Sequence, residues 1–215
     1  MWTPYARPMD AVVLDLPFRG TWRTELSPAR RVPSHGTTLF GTGHAIDFVM
    51  VDGWGRSAPR TWRSALTTEP PETFVGFGAP LLAPVAGTIL AVLDGEEDHE
   101  ARRTPFALLR YALTQAGRVR AGQAAIAGNH VVIEVPGAVV LLAHLRRGSL
   151  RVTPGQRVVA AQPLGECGNS GNSTEPHVHV QVSDTMDWER ARGVPLAFRL
   201  ADGVRVPEER EIVEG

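Results

Sequence analysis

Pro176-His177-Val178-His179-Val180 places two imidazoles two residues apart in a segment that reads as a strand. Side chains at i and i+2 of a strand share a face, so His177 and His179 can approach one metal ion together. Asp47 lies in Ala45-Ile-Asp-Phe-Val-Met-Val51, a β-branched and apolar run in which it is the lone charge. A carboxylate buried in such a run is costly unless a cation or hydrogen-bond donors compensate it, whereas on an outward-facing edge strand it would need neither. His144 closes the run Val139-Val-Leu-Leu-Ala143 and precedes Leu145-Arg-Arg-Gly148, at the kind of strand-to-loop junction where catalytic groups concentrate. A hydrolytic zinc site keeps three protein ligands and one open position. Imidazoles beside it can accept a proton from water or steady an oxyanion. Histidines and a carboxylate of the right kinds for both sets are present.

The elements that must hold these groups are mostly short strands. Ala45 to Val51 is one, and Leu82-Ala-Pro-Val-Ala-Gly-Thr-Ile89 gives a turn leading into another. His130 to Val135 and Ala138 to His144 flank Pro136-Gly137, a hairpin signature. A further strand around Arg157 to Ala160 leads into the glycine-rich loop and the paired histidines. Residues 1–30, with several prolines and Val12, Val13, Leu14 and Leu16, suggest an extended strand that joins a sheet. Residues 52–80 read as an irregular surface excursion, in which Trp54, Trp62, Phe74 and Phe77 either anchor the loop or line a groove. Residues 96–103 and Phe106 to Leu113 have helical period and predict an inserted helix. This pattern argues a mainly β chain, an antiparallel sandwich or barrel.

Composition narrows the function classes. At 215 residues and 43% hydrophobic content the chain can build a sizeable core, as one elaborated domain or two small ones. All 22 basic residues are arginines spread along the sequence, against 23 acidic ones, so no basic footprint for nucleic acid exists. The single cysteine, Cys167, excludes an intrachain disulfide framework and is expected to be a small buried residue. No export signal opens the chain, and no run approaches the ~18 apolar residues of a membrane span. A soluble protein is expected, in the cytoplasm or trimmed of its signal. Oligomeric state is not encoded in any recognisable pattern. His99 and His130 read as solvated surface residues, Asn129 and Asn169 as loop-holding side chains, and Ser170 as a turn former or a groove donor.

Several of these motifs together resemble the lysostaphin/LytM-like zinc endopeptidases, which cut peptide bonds in peptidoglycan. They are Gly128-Asn129, Ala143-His144-Leu145, Val152-Thr-Pro-Gly-Gln-Arg-Val158, Gly165-Glu-Cys-Gly-Asn-Ser-Gly-Asn-Ser173, Pro176-His177-Val-His179, and the Leu82–Ile89 turn and strand. The resemblance spans roughly residues 33–183, with gaps. It implies an antiparallel β-sheet sandwich of the duplicated hybrid motif type, with the site in a groove across one sheet. It also implies a division into an extension over 1–32, the β domain over 33–185 with insertions at about 52–80 and 96–125, and a second extension over 186–215.

Carried over residue by residue, the resemblance implies that Asp47 and His179 bind Zn2+ while His144 and His177 act beside the metal. The family spaces its first histidine and aspartate four apart, but here His44 precedes Asp47 by three. On a regular strand that offset points the two side chains to opposite faces unless a bulge intervenes. His35, in Pro33-Ser-His-Gly-Thr37, can fold back from its loop without obeying strand parity, and Gly36 eases the turn. His35 is therefore preferred as third ligand, with a packing role for His44. The implied activity is zinc-dependent hydrolysis of peptide bonds in a peptide or peptidoglycan substrate. The alternative is a non-catalytic binding or regulatory module on the same fold. A lipoyl- or biotinyl-type carrier, which shares the Pro154-Gly-Gln turn pattern, is excluded because the chain has no lysine to modify.

Overall fold

Strand alternation divides this protein into a buried face and a working face. The structure, a computed structural model, describes residues 11–59, 67–102 and 126–215. In chain order the strands are β1 (Val12–Leu14), β2 (Thr21–Glu25), β3 (Ile46–Met50), β4 (Pro80–Leu82), β5 (Gly87–Leu93), β6 (Asn129–Val135) and β7 (Ala138–Leu145). They continue as β8 (Arg157–Val158), β9 (Pro163–Glu166), β10 (Val178–Ser183), β11 (Leu196–Leu200), β12 (Gly203–Arg205) and β13 (Ile212–Glu214). Eight of them form one antiparallel sheet in the order β13-β2-β3-β10-β7-β6-β5-β8. A three-stranded sheet, β1-β11-β12, contains the parallel pair β1 and β11, and β4 and β9 make a two-stranded sheet. The fold is mainly β and antiparallel, as the short-strand pattern predicts.

The period of two decides what faces where. On β10, Val178, Val180 and Val182 enter the main core, together with Ile46 and Phe48 of β3 and Val140 and Leu142 of β7. Leu14, Leu81, Leu164, Leu196 and Phe198 of the two smaller sheets join the same cluster, so those sheets cover this face and make the sandwich. Its aromatic centre is Phe48, edge-on to Phe18 at 5.1 Å and to Phe198 at 5.3 Å, with Phe18 stacked on Trp22. The alternate residues of the central strands look the other way. There Val139, Leu141 and Ala143 of β7 join Val132 and Ala127 in a smaller apolar cluster beside the histidines.

The β6–β7 hairpin turns at Pro136-Gly137, where Pro fixes its own φ and Gly137 takes φ 76°. β2, from the region upstream of residue 30, is the neighbour of β3, and β13 pairs with β2 at the sheet edge. Residues 96–102 run extended rather than helical, bridging Ser170 through Asp98 and Glu69 through Ala101. The rest of the helix expected there lies outside the described residues. His130, expected at the surface, is buried, its Nδ1 donating to the Gly128 carbonyl at 2.7 Å. Cys167 is buried, and burial pushes its thiol pKa up, which suits a packing residue. No helix among the described residues is long and apolar enough to cross a membrane.

Phe48→Ala should cost about 3–5 kcal/mol in urea unfolding, because the cavity opens between both layers. Val159→Ala, at a 65% exposed position, should change stability by under about 0.5 kcal/mol. A loss below about 1 kcal/mol for Phe48→Ala would contradict this packing.

Candidate metal centre

β10 lies between β3 and β7, and its register sets His179 directly opposite Asp47 on one side and Ala143 on the other. His179 Nδ1 is 2.9 Å from Asp47 Oδ1. His177, two residues earlier, shares the face, and its Nε2 is 3.6 Å from Asp47 Oδ2. His35 comes from the loop between β2 and β3, with Nε2 3.3 Å from both Asp47 oxygens. Three imidazoles thus converge on one buried carboxylate. His44 ends a pair of 3-10 turns over Leu39–His44, is half-buried, and lies outside this group.

Strand parity would send His144 into the main core, since Ala143 before it faces the histidines. A bulge corrects this. Pairing between β6 and β7 jumps from His130–Ala143 to Asn129–Leu145, leaving His144 as the extra residue, at φ 66°. His144 turns to the working face, 4.6 Å from His177 between ring centroids, while Leu145 returns to the core.

Each of three imidazoles is anchored through Nδ1. Ser34 Oγ donates to the Ala45 carbonyl at 2.7 Å, so it accepts from His35 Nδ1 at 3.0 Å. His144 Nδ1 donates to the Ser170 carbonyl at 2.9 Å, and His177 Nδ1 to the Glu175 carbonyl at 2.8 Å. Their Nε2 atoms are left for the site. The Ser170 loop is itself clamped: Ser170 Oγ donates to the Leu145 carbonyl, and Asn129 reaches both Leu145 and Glu96. Ser170 is therefore a loop clamp and does not donate into the groove. Gly171, at φ 67°, lies so close to Gly128 that a Cβ would sit 2.4 Å from the Gly128 nitrogen. His99 Nε2 donates to the Gly171 carbonyl at 2.8 Å, so this half-buried histidine supports the same loop. Sequence reading did not single out Ser34, although its adjacency to His35 was the available signal.

The electrostatics follow from burial. Burial pushes the Asp47 carboxyl up, but the charges of His35 and His177 and hydrogen bonds from His179 and His35 outweigh it, holding the group well below the usual carboxylate range. Burial, reinforced by His177 and His179, holds the His144 imidazole well below its ordinary value, against the opposing pull of Asp47 and the Ser170 carbonyl. His144 is therefore neutral near pH 7, with a lone pair on Nε2. The five residues line a cavity of about 430 Å³ together with Leu39, Phe40, Leu141 and Ala143. Trp54 is 80% exposed and Phe74 is buried against Ala58 and Ala101. Neither Trp54, Phe74 nor Phe77 lines the cavity, and Trp62 lies outside the described residues.

The donor set suits a tetrahedral divalent cation. Ligand atoms of His35, Asp47 and His179 all lie within 4.8 Å of one another. Bond lengths of about 2.0–2.1 Å to zinc imply ligand–ligand edges of roughly 3.3 Å. The 3.3 Å and 2.9 Å separations around Asp47 are close to that value. In metal-free protein the Asp47 carboxylate should stabilise the fold with a defined pH dependence. Its folded pKa is depressed, so its contribution is complete above the unfolded value near ~3.9 and declines as pH falls through the folded one. The stability difference between wild type and Asp47→Asn, from urea unfolding in chelator, should be larger at about pH 6 than at about pH 3. A difference that does not change with pH would show that the carboxylate is not held ionised.

A model of Peptidase family M23 matches residues 111–190, a stretch that includes His144, His177 and His179 and begins after His35 and Asp47. The chain is similar to a solved catalytic domain of a mutant of the prophage-encoded M23 protein EnpA from Enterococcus faecalis. That likeness has 18% identity, covers 71% of this chain and 75% of that one, and has a TM-score of 0.40. For the catalytic domain of the antimicrobial peptidase lysostaphin from Staphylococcus simulans the figures are 19%, 71%, 77% and 0.39. For Csd3 from Helicobacter pylori they are 15%, 85%, 32% and 0.38. The segment holding His144 and the paired histidines is thus the part of this chain that matches the M23 model, and that family is the one the motifs resemble.

Proposed function

We propose that this protein is a zinc-dependent endopeptidase that hydrolyses peptide bonds, with peptidoglycan peptides as its substrate class. The observation that carries this reading is a buried Asp47 flanked by His35 and His179, with His144 and His177 beside it in the same cavity. His35, Asp47 and His179 would hold the ion. Zinc, when bound, supplies a Lewis acid that acidifies water and polarises a carbonyl.

The remaining work falls to side chains of this chain. His144, neutral and tied through Nδ1 to Ser170, accepts the proton of the attacking water at Nε2. His177, held through Nδ1 by Glu175, directs Nε2 into the cavity and, when protonated, donates to the oxyanion that develops on the substrate. The protein backbone and the clamped Ser170 loop keep both rings in place before substrate arrives, so little reorganisation is needed during the reaction.

Purified protein supplied with zinc should cleave peptidoglycan or a glycine-containing peptide, stop on addition of chelator, and resume when zinc is restored. His144→Ala should lower turnover about 10²–10⁴-fold with zinc content unchanged, whereas Asp47→Ala should lose the metal. Cleavage that persists in chelator would reject the metal mechanism. One tightly held zinc with no cleavage of either substrate would favour the non-catalytic module.

A further inference from the structure

We propose that Gln181 is a positioning residue that selects which nitrogen of His179 faces the metal and links that choice to the 39–44 segment walling the cavity. The inference rests on the zinc reading of the site. Gln181 lies on β10 two residues after His179, on the same face, and is 1% exposed. Its Nε2 donates to the Phe40 carbonyl at 2.7 Å, and its Oε1 is 3.3 Å from His179 Nε2.

The orientation of the amide is fixed by chemistry. A backbone carbonyl only accepts, so the NH2 end of Gln181 has to face Phe40. The carbonyl end then has to face His179, and it too only accepts. His179 Nε2 is therefore a protonated nitrogen, and Nδ1, which donates to Asp47 Oδ1 at 2.9 Å in the ion-free structure, is the nitrogen whose lone pair a metal would take. His35, His144 and His177 are anchored through Nδ1 and offer Nε2. His179 is the member of this cluster with the opposite arrangement, and it needs an acceptor on the other side of its ring. Gln181 supplies it.

The same amide ties down the cavity wall. Phe40 and Gly41 both adopt left-handed conformations, at φ 56° and 79°, which aims the Phe40 carbonyl at Gln181. Gly41 approaches so closely that a Cβ would lie 3.1 Å from Gln181 Nε2. Leu39 and Phe40 of this segment line the cavity with His35. Gln181 thus connects a metal ligand to the backbone of the opposing wall through one rigid group.

The test compares zinc affinity, by competition with a chromogenic chelator, in wild type, Gln181→Leu and Gln181→Glu, alongside melting temperatures of the metal-free proteins. Gln181→Leu removes both hydrogen bonds and should weaken zinc binding about 10–100-fold. Gln181→Glu keeps an acceptor for His179 and loses the donor to Phe40, so its zinc affinity should stay nearer to wild type even where its melting temperature falls. Long-range ¹H–¹⁵N correlation spectra of zinc-loaded wild type should show His179 protonated at Nε2, a readout that needs no variant to fold. Wild-type zinc affinity in Gln181→Leu, with only a lowered melting temperature, would overturn the proposal, as would an Nδ1-protonated His179 in the zinc-loaded protein. Failure of the wild type itself to bind zinc would overturn the metal reading and this one with it.

Discussion

Asp47 sits on a central strand of an eight-stranded sheet, nearly closed off from water, where an uncompensated charge would be expensive to keep. Three imidazoles gather round it from two directions, His179 on the neighbouring strand with His177 just before it, and His35 on a loop folded back over the strand. Much else in the molecule serves this requirement. On the opposite face Trp22 and Phe48 of the large sheet pack with Phe18 and with Phe198 of a smaller sheet, behind the β3–β10 pairing whose register sets the cluster. A one-residue slip between these strands would exchange the faces and bury the histidines among valines.

The imidazoles are not left to choose their own protonation. Each has one ring nitrogen committed to a fixed acceptor: a serine hydroxyl, a glutamine amide or a backbone carbonyl. This outer layer costs little sequence information, yet it converts flexible, titratable rings into oriented groups with a defined lone pair. It also explains why the glycine-rich loop over 168–174 is so tightly bound. The carbonyl that anchors His144 is on it, and Asp98, His99 and Asn129 hold it from three sides.

Some of this was legible from residues alone. The hairpin over 130–144 and the strand at 178–183 follow from alternation and turn chemistry, and the adjacency of His177 and His179 follows from the period of two. Parity also separated His44 from Asp47 and made a loop histidine the candidate neighbour, and His35 does lie beside Asp47. What could not be read were the features set by distant segments. The bulge at His144 exists because β6 and β7 lose one residue of register, and nothing local to Ala143-His144-Leu145 announces it. The burial of His130 depends on where β6 sits in the sheet, and the extended course of 96–102 depends on bridges to Ser170 and Glu69, which override a locally helical pattern. Gln181 reads as an ordinary polar residue on a strand until the Phe40 carbonyl arrives from 141 residues away.

The bulge carries an implication for how the chain balances durability against chemistry. A side chain bearing a Cβ at φ 66° is held in a sparsely populated region, at a standing penalty of about 1–3 kcal/mol. Glycine would occupy that corner of conformational space without steric objection. Engineering aimed only at thermal hardiness would therefore tend to replace this residue, gaining robustness while erasing the imidazole. Its presence there answers a demand that folding by itself does not make.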